Sequence, residues 1–455
     1  MNIKNIDRKI ILLIILFITI MITIIGFTLS KDKIYKGIKV NGIDIGNLNR
    51  NEALEKLKNN LDNSLKEIVI LKYQNNFYKE EYKNIGISYD YYNAVENAYN
   101  VGRRGNVFIR IKDIIKVRFL GYNVNMDYIC DDSKLYFYFN KLAKDVNKEY
   151  KNAEIKLKNN RFIITPEVLG RKMDKKLLKQ RILNSLENKK IIQIPISILK
   201  PDIIKEDLEP IEDKLGSFKT YFNVNNDDRV SNIKLSSNFI DSNVLFKGDV
   251  FSFNKATGPR DKEAGYKEAK VIINGELVPD VGGGVCQVST TLYNAILLSG
   301  LEVVERHHHS IPSTYVEKGR DATVAYNYLD FKFRNNLDYP IYIHSKVSSN
   351  SINIDIYGKK EGNKKYEIKT KVLEIIKAKT DSSIDKKLKP GEKVIDQKGR
   401  NGYKVETIRV KYENGKMKSK EQLSNDYYKP RKYIIRQGPK IGKNEKDNEL
   451  ENTTS

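Results

Sequence analysis

The chain has no tryptophan and only two cysteines, Cys130 and Cys286, in 455 residues. Two thiols so far apart make no disulfide framework, and they fall in different predicted domains, which argues against a bridge between them. No compact Lys/Arg block, zinc-ligand spacing or RNA-binding signature occurs, so nucleic acid is excluded as a partner. That holds despite a formal net charge of +23, from 81 Lys+Arg against 58 Asp+Glu. The basic residues are spread along the chain. The richness in Lys, Asn, Ile and Tyr, with tryptophan missing, has the look of codon bias. Outside a cell, such a chain is drawn to anionic head groups or wall polymers.

Long apolar runs are also scarce. Ile10–Leu29 alone is almost wholly apolar and free of charge, and about 20 residues suit a membrane-spanning helix. Lys4, Arg8 and Lys9 precede it, while Lys31, Lys33 and Lys36 follow, so its orientation rests partly on the lack of a second span. No small-x-small cleavage site follows, which argues against a removed signal peptide. The expectation is a single-pass signal anchor at the cell membrane: a cytoplasmic tail 1–9, a transmembrane helix 10–29, and the rest extracytoplasmic.

At roughly 150 residues per domain the length suits about three domains. Between residues 35 and 201 one pattern occurs twice. Ile68–Phe77, Gly86–Asp90 and a helical stretch through Ala94 and Ala98 form the first copy. Ile155–Phe162, Gly170–Asp174 and a helical stretch through Leu178 and Ile182 form the second. In each, an Asn-Asn turn joins two strand-like runs, and Asp90 or Asp174 stands where a helix N-cap belongs. A duplicated α+β domain, suited to binding or spacing rather than catalysis, is expected. Lys200–Asp213, with two prolines and many acidic residues, marks a connector at residues 202–214. Residues 215–346 read as a central α+β domain and 366–438 as a small all-β domain. The polar stretch 443–455 is expected to be a disordered tail.

The chemistry concentrates at Pro279–Ala295. Gly282, Gly283 and Gly284 run into Cys286. Val285, Val288, Leu292 and Ile296 then make one apolar stripe of a helix that should stop near Gly300. Cys286 is thus predicted at a helix N-terminus, where free N–H groups and the dipole favour a thiolate. Equally, free cysteines are often packed simply as small apolar residues. Downstream come Arg306-His-His-His-Ser310 and Gly319-Arg-Asp-Ala-Thr323. At strand spacing His307 and His309 share a face and His308 points away. The order Cys, His, Asp suits acyl transfer: a histidine, His307 or His309 with a slight preference for His309, takes the thiol proton, and Asp321 orients it. Backbone N–H groups of the glycine turn, or Gln287, hold the oxyanion. Gly282–Gly284 could instead cradle an anion, and Arg260 and Arg320 could clamp a substrate carboxylate. His307, His309 and Asp321 would make three metal ligands, but no helical His-x-x-x-His spacing supports zinc. No metal and no cofactor are therefore expected.

Three resemblances sit beside this reading. Val40–Gly46, Asn84–Asp90 and Phe162–Gly170 resemble the peptidoglycan-binding domain found beside wall-modifying enzymes. The strand-rich segment with turns at Lys389-Pro-Gly391, Asn401-Gly402 and Asn414-Gly415 resembles the five-glycine β domain, which implies binding of amino-sugar wall polymers. Phe251–Asn254 with Thr257–Arg260, Gly282–Asn294, His307–Ser310 with Pro312 and Tyr315, and Gly319–Val324 resemble the VanW family, named for an accessory protein of B-type vancomycin-resistance clusters. That family commonly has a proline soon after the tyrosine matching Tyr315; Val316-Glu-Lys lacks it here. The Cys, His, Asp order is similar to that of transglutaminase-like and NlpC-type enzymes. Together these imply an envelope protein whose partners are the membrane and peptidoglycan or an anionic wall polymer. Its central domain is either a Cys286-dependent amidase, peptidase or transpeptidase, or a non-catalytic binder of peptidoglycan or amino sugars.

Overall fold

The computed structural model of the chain describes residues 8–63, 66–186, 191–273 and 276–439. The tail 443–455 and all but the last two residues of the tail 1–9 lie outside them. Two compact units emerge, one of residues 1–151 with 168–201, the other of 152–167 with 202–455.

In the first unit, α1 (Arg8–Leu29) is almost wholly apolar after Arg8 and Lys9, its stretch Ile10–Leu29 having a mean hydropathy of 3.2. Among the described residues it is the one helix long and apolar enough to cross a membrane. Helix α2 (Arg50–Leu61) starts on a capping box formed by Asn49 and Glu52, and α3 (Tyr91–Asn100) on the Asp90 carboxylate. Both caps satisfy N–H groups that a helix start leaves free. Their buried faces meet Val117 of α4 (Val107–Leu120) and Ile38, Val40 and Ile45 in one core. A second core gathers the hairpin Ile68–Tyr73/Asn76–Glu81, α5 (Asp132–Val146) and α6 (Lys175–Ser185), the last capped by Asp174.

Both halves of the expected duplication have the same order: hairpin, short strand, Asp cap, helix. Their packing differs. The second hairpin, Glu154–Lys158/Arg161–Thr165, turns on Asn159 and Asn160 at φ 50° and 60°, the two left-handed positions of a type I′ turn. It belongs to the second unit, where Ile155 and Phe162 pack with Leu208, Ile211 and Tyr342. So 35–201 is not one compact body. Nor is 202–214 a free connector: α7 (Lys205–Leu208) and the buried Ile211 supply the apolar cover this hairpin needs.

The rest of the second unit centres on an antiparallel sheet ordered Asp213–Tyr221, Ser351–Gly358, Ile341–Val347, Val244–Leu245. Against it pack α8 (Asp227–Ile240) and α10 (Val285–Leu298), with the short α9 (Phe253–Thr257) beside α8. α8 buries Ile233 and Ile240, whereas Phe239 is exposed. The strand that follows Asp321 is short, Lys332–Arg334, because Ala325 first closes a tight turn onto Leu329 through left-handed Asn327. C-terminally, two three-stranded sheets make an all-β domain, the larger ordered Lys364–Ile376, Gly402–Glu413, Lys416–Tyr428. This domain fits closely on the central one. A Cβ on Gly300 would lie 2.3 Å from the Tyr366 ring, and the Arg409 guanidinium donates to the Leu301 carbonyl at 2.7 Å.

Candidate active site

Helix α10 is buried almost all round and still carries Ser289, Thr290 and Asn294. Buried polar groups need partners, and here a single loop supplies them. Ser289 Oγ donates to the Ala322 carbonyl at 2.7 Å. Thr290 Oγ1 accepts from the Ala322 N–H at 3.0 Å. Asn294 donates to the Arg320 carbonyl and accepts from Arg320 Nε, at 2.8 and 2.7 Å. These bonds fix the Asp321 loop against the helix that carries Cys286.

The glycines before that helix have separate duties. Gly282 and Gly284 have φ 90° and 110°, conformations that disfavour any side chain. On Gly283 a Cβ would lie 2.7 Å from Ala269. The turn delivers Cys286 as the second residue of α10, half-buried, its Sγ 3.6 Å from Thr323 Oγ1 and 3.5 Å from the Val324 carbonyl.

The His309 imidazole faces that sulfur closely enough for each to shift the other's ionisation. Its Nδ1 is bonded to Asp321 Oδ2 at 2.6 Å, which leaves Nε2 for the thiol. Asp321 Oδ2 also accepts the His309 backbone N–H at 2.7 Å, and Oδ1 accepts the Tyr428 hydroxyl at 2.5 Å. Arg306 holds the other side of the aspartate: Nε donates to its carbonyl at 2.6 Å, and Nη1 to Asp426 Oδ1 at 2.6 Å. His309, Asp321, Tyr428 and Asp426 are all buried.

The electrostatics follow from these contacts. Burial alone would push the Cys286 thiol up, but the hydrogen bond to His309 and its positive charge, with Val324 and Thr323, bring it down to about 6. Burial would lower His309; the bonds to Asp321 and Cys286 and their charges raise it to about 9. Burial would raise Asp321, yet His309, Arg306 and Tyr428 hold it well below the usual carboxylate range. At neutral pH the pair is therefore thiolate and imidazolium.

The sulfur lines a cavity of about 1090 Å³ whose walls include Arg260, Gly282, His309, Ser313, Tyr315 and Thr323. Three buried polar atoms on this wall have no hydrogen-bond partner: Arg260 Nε and Nη1 and Ser313 Oγ. The third guanidinium nitrogen of Arg260 is tied to Asn254 Oδ1 and Thr257 Oγ1.

The other expected residues are placed differently. His307 pairs with Glu305 at 3.1 Å on a half-exposed surface, so it does not share the duty of His309. His308 turns its ring toward Tyr428. The Gln287 amide nitrogen is spent on Thr220 Oγ1 and the Tyr221 carbonyl, and its oxygen accepts from Arg229, so that side chain is not free to hold an oxyanion. Arg320 lies over the Phe218 ring and outside the cavity lining. Both cysteines are free. Among the described residues, no group of three His, Cys, Asp or Glu is placed to hold a metal ion. Sequence reasoning missed Arg306, Asp426, Tyr428 and Ser313. Arg306 stood beside the histidines without a role. Tyr428 is 107 residues from Asp321, and nothing local marks it.

Fold and site together define a multidomain α+β protein with Cys286, His309 and Asp321 clustered on a central domain, flanked by an N-terminal α+β region and a C-terminal β domain. Family comparisons divide it the same way. Residues 228–357 match the model described as "VanW like protein", 78–192 that described as "Putative peptidoglycan binding domain", and 367–440 that described as "G5 domain". The chain therefore carries a VanW-like domain between a peptidoglycan-binding-type region and a G5 domain. YoaR of Bacillus subtilis (strain 168) is 43% identical over 167 residues, which are 36% of this chain and 55% of that protein. The vancomycin B-type resistance protein VanW of Enterococcus faecalis (strain ATCC 700802 / V583) is 29% identical over 147 residues, 31% of this chain and 54% of that protein. The chain thus spans about half the length of the curated relatives it matches. Among solved structures, the G5 domain of IgA1 protease is 24% identical, with a TM-score of 0.15, covering 18% of this chain and 96% of that one. The G5 domain of HP0197 is 23% identical, with a TM-score of 0.13, covering 17% and 100%.

Proposed function

We propose that this is a single-pass, membrane-anchored protein of the cell wall whose central domain cleaves or transfers peptide bonds of peptidoglycan through Cys286. The observation that carries this reading is the alignment Cys286–His309–Asp321 on the wall of an open cavity, with the thiol lowered to about 6. The thiolate attacks a substrate amide carbon. The backbone N–H of Cys286, second in its helix and without an intrahelical partner, is placed to receive charge on the carbonyl oxygen. His309 Nε2 passes its proton to the departing amine, leaving a thioester. Water or an acceptor amine then attacks the thioester, giving its proton back to His309, and the thiolate is released. Asp321 keeps the imidazole oriented throughout. Arg260, with two unsatisfied N–H groups, suits a substrate carboxylate, and Ser313 a peptide carbonyl or amide.

The flanking domains support a wall address, and α1 supports tethering at the membrane. The shared element order within 35–201 supports a duplicated binding unit. The test incubates the full chain in detergent with muropeptides and follows masses beside Cys286→Ala. New masses from the wild type alone are expected; identical traces would sink the catalytic reading. A second reading, a non-catalytic binder of wall peptides or amino sugars, draws on the same unsatisfied donors, which would hold a ligand without any chemistry. It predicts equal binding by wild type and Cys286→Ala and no product from either.

A further inference from the structure

We infer that α4 is a membrane-surface helix, whose uncovered apolar stripe seats in the outer lipid leaflet beside the exit of α1. This rests on the reading of α1 as a membrane anchor.

The sequence of α4, VFIRIKDIIKVRFL, is apolar on two sides. Inward, Val117 and Ile114 pack into the N-terminal core. Outward, Phe108 is 84% exposed, Ile115 53%, Phe119 80% and Leu120 77%. Residues 108, 115 and 119 fall on one helical face. A soluble domain gains nothing by holding such a stripe in water. The polar residues of the same helix are Arg110, Lys112, Lys116 and Arg118 against a single acid, Asp113. Cations flanking an exposed apolar stripe suit anionic head groups over acyl chains.

Position decides the occupant. Arg110 Nη2 donates to the carbonyl of Leu29, the last residue of α1, at 3.1 Å. Arg103 Nη2 donates to the carbonyls of Lys31 and Lys33 at 2.8 and 2.6 Å, and the Tyr35 hydroxyl to that of Thr28 at 3.3 Å. The chain leaving α1 is thus tied to α4 by Arg110 and to the turn before it by Arg103. Wherever α1 ends at a bilayer surface, α4 is there too.

The missing tryptophan makes the test clean. Single tryptophans replace Phe17 in α1, Phe108 and Phe119 in α4, or the exposed Phe137 in α5, in the full chain. Each is reconstituted into phosphatidylcholine–phosphatidylglycerol vesicles with lipids brominated at the upper acyl carbons. Phe17→Trp, Phe108→Trp and Phe119→Trp should be quenched, and Phe137→Trp spared. Quenching at Phe17→Trp without quenching at both α4 positions overturns the inference and leaves the anchor standing. No quenching at Phe17→Trp removes the anchor and the inference with it. Equal quenching at Phe137→Trp, or a blue shift of Phe119→Trp that grows with protein concentration in lipid-free detergent, overturns the inference in favour of general adsorption or a second copy.

Discussion

The two cysteines make a natural controlled pair. Both are free and half-buried, and both stand at a helix start: Cys130 just before α5, Cys286 inside the first turn of α10. Their thiols move in opposite directions. Burial and the neighbouring Asp132 and Asp131 push Cys130 up, with only Lys179 opposing. Cys286 comes down to about 6 because an imidazolium is bonded to it. A helix N-terminus is common to both, so it does not decide which thiol ionises; the partner does.

The largest expected effect breaks that contrast. His309→Asn should return Cys286 toward an ordinary thiol near about 8.5, cutting alkylation at neutral pH roughly 30-fold by the change in thiolate fraction. Iodoacetamide kinetics on a Cys130→Ser background would measure it, and an unchanged rate would show that His309 does not set the thiol. Next, the wild-type rate on a peptide substrate should be bell-shaped. The thiolate exists above about 6 and the imidazolium below about 9, so activity should rise through the first value and fall through the second. A profile still climbing beyond the upper value would remove His309 as the acid. A smaller effect is structural. Tyr428→Phe leaves the buried Asp321 Oδ1 and the Gly319 N–H each short of a partner, and should cost about 1–3 kcal/mol in chemical denaturation. A loss no larger than that of an exposed Tyr→Phe change would show the bond to be idle. The smallest sharpens the other half of the pair. Asp132→Asn should make Cys130 slightly more reactive, since that carboxylate holds its thiol up; a slower thiol would contradict the assignment.

Part of this arrangement could be read from residue order. The glycine turn and the helix behind it were legible, and Cys286, His309 and Asp321, picked out by spacing and residue type, lie together in the fold. Two of the expected ligand groups are engaged in packing instead, for a shared reason. Gln287 and Arg320 look like ligand-binding groups in one dimension, but α10 is so deeply buried that it claims their hydrogen bonds for packing. The hairpin at 154–165 was legible as a hairpin, and its allegiance was not, because strand pairing is local while cover for Ile155 and Phe162 comes from residues beyond 200. Tyr428 could not be found at all. No periodicity connects a residue at the end of one domain's last long strand to a carboxylate in another.

That hydroxyl has a practical bearing on how the protein can be divided. A chain cut after Gly358 would keep the whole 228–357 family match, yet lose Tyr428 and Asp426 and bare the faces of Gly300 and Gly319 that the β domain covers. The smallest autonomous piece is then larger than the recognisable signature, and shuffling the β domain onto another VanW-like core would succeed only where a tyrosine arrives at the same spot.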